Sequence, residues 1–266
     1  MAIVSRRNGD LYYFIDDQIQ VPHAFTTRLG GVSEGMYESL NLGVARGDDP
    51  VAVTENYDRI LAELGTVKES LVFSRQVHEN TVRVVKHCHR LPDLFGPVEE
   101  ADGLVTIAPD MALAVFTADC IPILLWDKGT GAVGAVHAGW RSTVQDIAGV
   151  AVEKLITLGA DPAHIRAAIG PGIGSCCFET GPEVPQGVLD VLGEDGRDCI
   201  RSKEDGKYMV NIKEVNRRLL CRAGLLSEHI SVAAQCTLCD PATFWSHRAT
   251  GVNRGSLAGI IVKPVE

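Results

Sequence analysis

His78, Cys120 and His137 carry side chains that bind soft or borderline metal ions, and each falls at or just past a run with strand chemistry. Rigid strands deliver such residues into loops, where function concentrates. Two imidazoles and one thiolate form the kind of three-ligand set that holds Zn²⁺ and leaves a fourth tetrahedral position for water, as catalytic rather than structural zinc does. An open zinc site lowers the pKa of its water from 15.7 to about 7, which makes a nucleophile available at neutral pH. The separations along the chain match no short zinc-finger pattern, so spacing alone does not select a metal. Cys120 also reads as a small buried hydrophobe after an apolar run, and His78 as a surface histidine between Val77 and Glu79. His137 ends the run 132–136 and precedes Ala138, Gly139, Trp140 and Arg141. Small residues followed by an aromatic and a cation suit a pocket rim. A metal-free use of the same atoms pairs Cys120 as nucleophile with His137 as base.

The elements that hold these residues can be read from periodicity. Val144, Ile147, Ala148, Ala151, Leu155 and Leu158 recur at helical spacing and predict a helix over 142–158, stopped by Gly159. Similar patterns predict helices over 50–64, opened by Asp48 or Asp49 and closed by Gly65, and over 212–223, opened by Asn211 and closed by Gly224. Strand chemistry marks 71–74, 81–85, 103–107, 112–116, 121–126, 132–137, 165–169, 230–233 and 257–262. The gaps between the three runs over 103–126 are too short for helical crossovers, which implies antiparallel or mixed pairing. No internal repeat or Pro/Ser/Gly-rich linker divides the chain. The expected architecture is α+β, with mixed β-sheets flanked by helices in a single domain over 1–266.

Composition excludes several alternatives. The chain has 266 residues, 45% of them apolar and 22% charged, with a formal charge of −9. It is therefore globular in composition and long enough to bury a core. The negative balance and the lack of a dense Lys/Arg run argue against nucleic acid. The apolar stretch 111–126 is interrupted by Thr117, Asp119 and Pro122 and falls short of a bilayer span. No membrane partner and no export signal are read, so a soluble, cytoplasmic protein is expected. In that setting the eight cysteines read as thiols, buried small residues or ligands rather than a disulfide framework. Cys236-Thr237-Leu238-Cys239 with Cys176-Cys177 offers four thiols for a structural zinc knot. Two facts stand against it: adjacent cysteines seldom both turn to one metal, and no second C-x-x-C is present.

Several longer motifs appear in a fixed order: Thr26-Thr27-Arg28-Leu29-Gly30-Gly31-Val32-Ser33, Ser39-Leu40-Asn41-Leu42-Gly43, Gln76-Val77-His78 and Ala101-Asp102-Gly103-Leu104-Val105-Thr106. Thr117-Ala118-Asp119-Cys120-Ile121-Pro122, His137-Ala138-Gly139-Trp140-Arg141, Ile169-Gly170-Pro171 and the segment from Cys236-Thr237 to Arg248 follow. In these motifs, across nearly its whole length, the chain resembles the laccase-domain family of bacterial purine nucleoside phosphorylases, first described as polyphenol oxidases. The resemblance implies a zinc site at His78, Cys120 and His137. It also implies action on purine nucleosides: phosphorolysis of adenosine, inosine, guanosine and methylthioadenosine, and deamination of adenosine to inosine. Some members are linked to peptidoglycan-precursor editing.

Deamination needs a carboxylate to carry a proton to the leaving ammonia, and Asp102 and Asp119 are the nearest candidates by sequence. Asp119 reads equally well as a group that orients a ligand. Phosphorolysis needs guanidinium forks to hold phosphate, a role for Arg28 and Arg248 within the family motifs, with Arg141 close behind. Asn41 and Gln76, and less so Ser39, read as sugar or base partners or as ordinary turn residues. Compared with the family pattern, Gly172 replaces a common Cys, Ser142 a usual Gly, and His247-Arg248-Ala249 a common Tyr-Arg-Arg. The last change removes a positive charge and adds an imidazole, and Arg254 offers compensation. Copper oxidase chemistry is the rival the family's older description raises. A mononuclear copper plus a trinuclear cluster takes paired His-x-His motifs, and this chain has eight histidines and one such pair, His87 and His89. Adventitious Cu²⁺ at the His-Cys-His set is compatible with zinc as the working metal.

Overall fold

Strands buried on both faces read as continuous apolar runs and must lie between other layers. The computed structural model, which describes residues 3–265, has that build. In chain order it contains β1 (Ile3–Asn8), β2 (Leu11–Asp16), β3 (His23–Thr26), α1 (Pro50–Glu63), β4 (Leu71–Val72), β5 (Val82–Val84) and β6 (Gly103–Thr106). There follow β7 (Met111–Thr117), β8 (Ile121–Asp127), β9 (Val133–Ala138), α2 (Trp140–Val144), α3 (Ile147–Thr157) and β10 (Ile165–Ile169). The last third holds β11 (Glu179–Thr180), α4 (Glu183–Leu192), β12 (Ile200–Ser202), β13 (Tyr208–Val210), α5 (Ile212–Arg222), β14 (Ile230–Val232), α6 (His247–Thr250) and β15 (Leu257–Lys263). One six-stranded sheet runs β1-β2-β3-β15-β7-β4, another runs β14-β10-β8-β9-β6-β5, and β11-β13-β12 form a small third sheet. Both large sheets are mixed: β4 with β7, β5 with β6 and β10 with β14 are parallel pairs, whereas neighbours such as β7 with β15 and β8 with β9 are antiparallel. The α+β class with mixed sheets expected from the sequence is what the chain forms.

Side-chain alternation sorts these elements into four layers. Along β8, Ile121, Ile123 and Leu125 join a core shared with α3 and α5, while Leu124 and Trp126 join a second core with Leu113 and Val115 of β7. The other face of β7, with Ala112 and Ala114, packs in a third core with Val53, Tyr57 and Ile60 of α1. The order is therefore α1, first sheet, second sheet, then α3 to α5. Each fully buried aliphatic side chain contributes about 1.5–3 kcal/mol, so slippage of either sheet by one residue would be prohibitive.

The predicted helix over 142–158 is two helices, α2 and α3. Asp146 between them adopts φ 59°, ψ 42° and its carboxylate accepts the Gly149 N–H at 3.1 Å, starting α3 afresh. The apolar spacing continues across the break because both helices face the same core. The three runs over 103–126 also separate: β6 and β8 each pair antiparallel with β9, while β7 belongs to the other sheet. No helix among the described residues is long and apolar enough to cross a membrane.

Candidate metal centre

Two of the connections that cross between the large sheets deliver two of the three proposed ligands. β7 ends at Thr117 in one sheet and β8 begins at Ile121 in the other, so Ala118, Asp119 and Cys120 must turn between layers. Asp119 takes φ 86° in that turn. Its Oδ1 accepts from Thr237 Oγ1 at 2.6 Å, and Oδ2 accepts from Ser246 Oγ at 3.0 Å and from the Arg248 backbone N–H at 2.7 Å. His78 lies in the second crossing, 73–81, at φ 62°. Gln76 fastens that crossing to the end of β7, its amide donating to Phe116 O at 2.7 Å and accepting from Phe116 N at 2.6 Å. His137 is the penultimate residue of β9, opposite Pro122.

Asp102 organises the centre from behind. It is fully buried; Oδ1 accepts from His137 Nδ1 at 2.8 Å and the His78 N–H at 3.0 Å, and Oδ2 accepts the Val77 and Glu79 N–H groups, each at 3.0 Å. Burial pushes its pKa up, but His137 and these amides outweigh that and hold the carboxyl below its usual range. An ionised Asp102 takes the Nδ1 proton of His137 in hydrogen bond and leaves Nε2 to face the centre.

The ligand atoms of His78, Cys120 and His137 all lie within 4.8 Å of one another. Cys120 Sγ is 3.9 Å from His78 Nε2, and the two imidazoles meet edge to face with centroids 4.9 Å apart. Ligands bound at 2.0–2.3 Å around a tetrahedral ion stand about 3.3–3.8 Å apart, so little movement is needed to seat one. Gly139 supplies the remaining room: a Cβ there would fall 2.8 Å from His78 Cδ2, 3.4 Å from Cys120 Sγ and 3.7 Å from His137 Cε1. The donor set and this cradle fit a zinc ion. Burial raises the Cys120 pKa, yet His137 and His78 overcome it and bring it to about 6. Burial likewise lowers that of His137, while the Cys120 thiolate and Asp102 lift it to about 9. Each group thus favours the charged form of the other, a charge pattern in which a cation can take the place of the imidazolium proton.

Two cavities, of about 350 and 580 Å³, open on this centre and share His78, Cys120, Arg46 and Arg254 as lining. Trp140, Ile173 and Phe178 wall the smaller, together with Asp119, His247 and Arg248; Phe73, Phe95 and Phe116 wall the larger, with Gln76 and His137. Arg254 is 7% exposed, its Nη1 donates to Gly255 O at 2.8 Å, and its Nε has no partner among the described residues. Burial and then the Arg46 guanidinium bring its pKa down to about 10.

Other residues singled out in the sequence serve elsewhere. Arg28 donates from Nε and Nη2 to Glu38 O and from Nη1 to Pro241 O, and lines neither cavity. Asn41 is fully buried, joining Asp48 to the backbone of Gly43 and Ser256. Arg141 lies over the Trp140 ring, 4.4 Å from its centroid, outside both linings. Arg248 lines the smaller cavity and donates to Glu179 O at 2.9 Å. Asp102 lines neither cavity, whereas Asp119 borders the smaller. Arg46 was not singled out; its one sequence signal is that it closely follows the Ser39 to Gly43 motif.

Fold and site define a four-layer α+β protein with an open His-Cys-His ligand set where two inter-sheet crossings meet. The chain belongs to the family described as multi-copper polyphenol oxidoreductase laccase, whose model matches residues 22–264. It is 40% identical over 247 residues to a purine nucleoside phosphorylase of Deinococcus radiodurans, covering 92% of this chain and 90% of that one. It is 34% identical over 236 residues to adenosine deaminase RL5 from an unknown prokaryotic organism, covering 87% and 90% respectively. The crystal structure of YlmD from Geobacillus stearothermophilus superposes with a TM-score of 0.92 at 31% identity, over 99% of this chain and 100% of that one.

Proposed function

We propose that this chain is a zinc-dependent purine nucleoside enzyme, which cleaves adenosine, inosine, guanosine and methylthioadenosine with phosphate and deaminates adenosine with water. The observation that carries this reading is an open three-ligand set, His78, Cys120 and His137, sharing two cavities with the buried guanidinium of Arg254. Its similarity to proteins named purine nucleoside phosphorylase and adenosine deaminase supports the same substrates.

When bound, zinc supplies the Lewis acidity that makes water a competent nucleophile at neutral pH. The remaining work falls to the protein. In phosphorolysis a phosphate oxygen bonds to C1′ of the ribose as the glycosidic C–N bond breaks and the purine leaves. Arg254 and Arg46, two like charges at one cavity wall, gain most from that dianion, and Arg248 adds a third guanidinium at the smaller cavity. The aromatic wall of Phe73, Phe95 and Phe116 suits the flat purine ring. In deamination the oxygen of water replaces the C6 amino group and a proton passes to departing ammonia. Asp119, at the cavity edge, takes that proton-transfer role, and Asp102 acts through His137 and the His78 loop.

The test is to incubate zinc-replete protein with adenosine and identify the products. Inosine is expected without phosphate, and adenine with ribose 1-phosphate in its presence; unchanged adenosine over a zinc-loaded protein would overturn the proposal. Replacing Arg254 by Met should slow the phosphate-dependent reaction about 10- to 100-fold, the worth of a lost charge-assisted bond, and leave deamination near its original rate. Equal losses would assign Arg254 to the nucleoside.

One observation favours a second reading. Cys120 thiolate, His137 and buried Asp102 form a nucleophile, base and orienting group, the set of a metal-free cysteine hydrolase. Activity in zinc-free protein that is lost on thiol alkylation would select it. For copper oxidase chemistry the ligands are too few, since among the described residues no metal-competent group contains more than two histidines.

A further inference from the structure

The objections to a zinc knot at the remaining cysteines do not survive their placement. Cys176, Cys177, Cys236 and Cys239 converge, with all four Sγ atoms within 4.8 Å of one another, and none is in a disulfide. Cys239 Sγ stands 3.5 Å from Cys176 Sγ and 3.4 Å from Cys177 Sγ. Four sulfurs at 2.3 Å around a tetrahedral zinc are about 3.8 Å apart, so the cluster already has nearly the required size. Adjacent cysteines turn to one point because the chain folds tightly at Gly174, whose carbonyl accepts both the Cys177 N–H at 3.0 Å and the Phe178 N–H at 2.9 Å. A Cβ on Gly174 would lie 3.1 Å from Cys176 Sγ and from Cys236 Cβ. The Gly174 N–H donates to Cys236 Sγ at 3.1 Å, and the buried ammonium of Lys213, fixed on Ala233 O and Gln235 O, lies within electrostatic reach of Cys236 and Cys176. The Gly174 N–H favours thiolate at Cys236, whereas burial and the neighbouring thiols push Cys176 and Cys177 up, so the geometry of the four sulfurs is what points to a metal.

We infer that Cys176, Cys177, Cys236 and Cys239 form a closed tetrathiolate site for a structural Zn²⁺ ion that staples a segment of the smaller cavity's wall to the segment that braces the Asp119 turn. Four protein ligands leave no open position, and soft thiolates in tetrahedral array select zinc over harder ions. The two segments matter to the catalytic centre. Ile173 and Phe178, from the first, line the smaller cavity, and Thr237, from the second, donates to Asp119 beside Cys120. The Ile173 N–H also donates to Asp119 O at 2.8 Å, and Thr237 N–H to Gly172 O at 3.2 Å. The ion thus clamps the turn that aims the other site's thiolate.

Zinc content decides the matter. Protein expressed with supplementary zinc and measured by mass spectrometry of the metal should carry about two ions per chain, and both Cys120→Ala and Cys239→Ser should carry about one. Cys239→Ser should lose less than about tenfold in nucleoside turnover and unfold at a lower temperature. Should that variant fail to fold, cobalt substitution of the Cys120→Ala protein gives an independent reading: intense sulfur-to-metal charge-transfer absorption, scaled to four thiolates, is expected. A single zinc in the unaltered protein, a Cys120→Ala protein that binds no metal, or a disulfide from Cys239 to Cys176 or Cys177 in zinc-supplemented protein would overturn the inference. Two ions in a protein inert toward nucleosides would defeat the proposed activity and leave this site standing.

Discussion

The His78-Cys120-His137 centre and the Cys176-Cys177-Cys236-Cys239 cluster are both tied to the Asp119 turn, and they differ in ligands, backing and access. The first mixes two imidazoles with one thiolate, has a buried carboxylate behind it and opens on two cavities. The second offers thiols alone, takes its support from an amide N–H and a buried ammonium, and borders neither cavity. Three ligands and a vacancy do chemistry; four ligands hold loops. On the proposed reading the same element, placed twice within one turn's reach, would serve two purposes because the protein controls the fourth position.

The sharpest way to break this contrast is to remove one sulfur from each. Cys120→Ala should lower both phosphorolysis and deamination by about 1,000-fold or more, since several kcal/mol of transition-state stabilisation goes with the metal. Cys239→Ser should lower them by less than about tenfold, because it loosens a wall without touching the substrate. Parallel assays of the two variants check this, and comparable losses would erase the distinction. Next in size is Asp102→Asn, which weakens the orientation of His137 and the His78 loop. A loss of about 10- to 100-fold in zinc affinity or activity is expected, with the cysteine cluster's zinc retained. Loss of both ions together would show one cooperative unit rather than two sites. Smallest is a pair of glycine substitutions. Gly139→Ala sets a methyl 2.8 Å from His78 and should weaken the catalytic zinc about tenfold, whereas Gly174→Ala meets its neighbours at 3.1 Å and should have a smaller effect on the cysteine-bound ion. Chelator competition at each site measures both, and the reverse order would contradict the assignment of cradles.

How much of this was legible beforehand depended on whether the physics is local. The convergence of His78, Cys120 and His137 could be anticipated because their side chains are chemically specific and each falls at or near a strand end. Helices α1 and α5 were legible at their starts because Asp49 and Asn211 are local caps, accepting from Val51 N and Glu214 N. The break before α3 was not, since Asp146 looks like any polar helix residue until its backbone turns left-handed. Strand β1 escaped notice because four of its six residues are exposed and its pattern carries no alternation. Arg254 was singled out only as compensation for the altered His247-Arg248-Ala249 run, because the burial of its guanidinium is settled by residues distant in the chain, and the exposed Arg46 carried no local signal beyond its nearness to the 39–43 motif. For the four cysteines the general rule about adjacent residues gave no hint that all four sulfurs converge, which a turn at one glycine allows. Gly172 is a related case: a side chain there would meet Ile121 Cδ1 at 2.5 Å and the Cys120 carbonyl at 3.0 Å.

The most direct test of the contrast between the two centres is an anomalous difference map collected at the zinc edge from crystals of the zinc-replete protein. Two peaks are predicted. One should be ligated by His78 Nε2, Cys120 Sγ and His137 Nε2 with a non-protein fourth ligand facing the cavities, and the other by the four sulfurs of Cys176, Cys177, Cys236 and Cys239. An absent peak between the two histidines and Cys120, or a fourth protein ligand closing that position, would contradict the account.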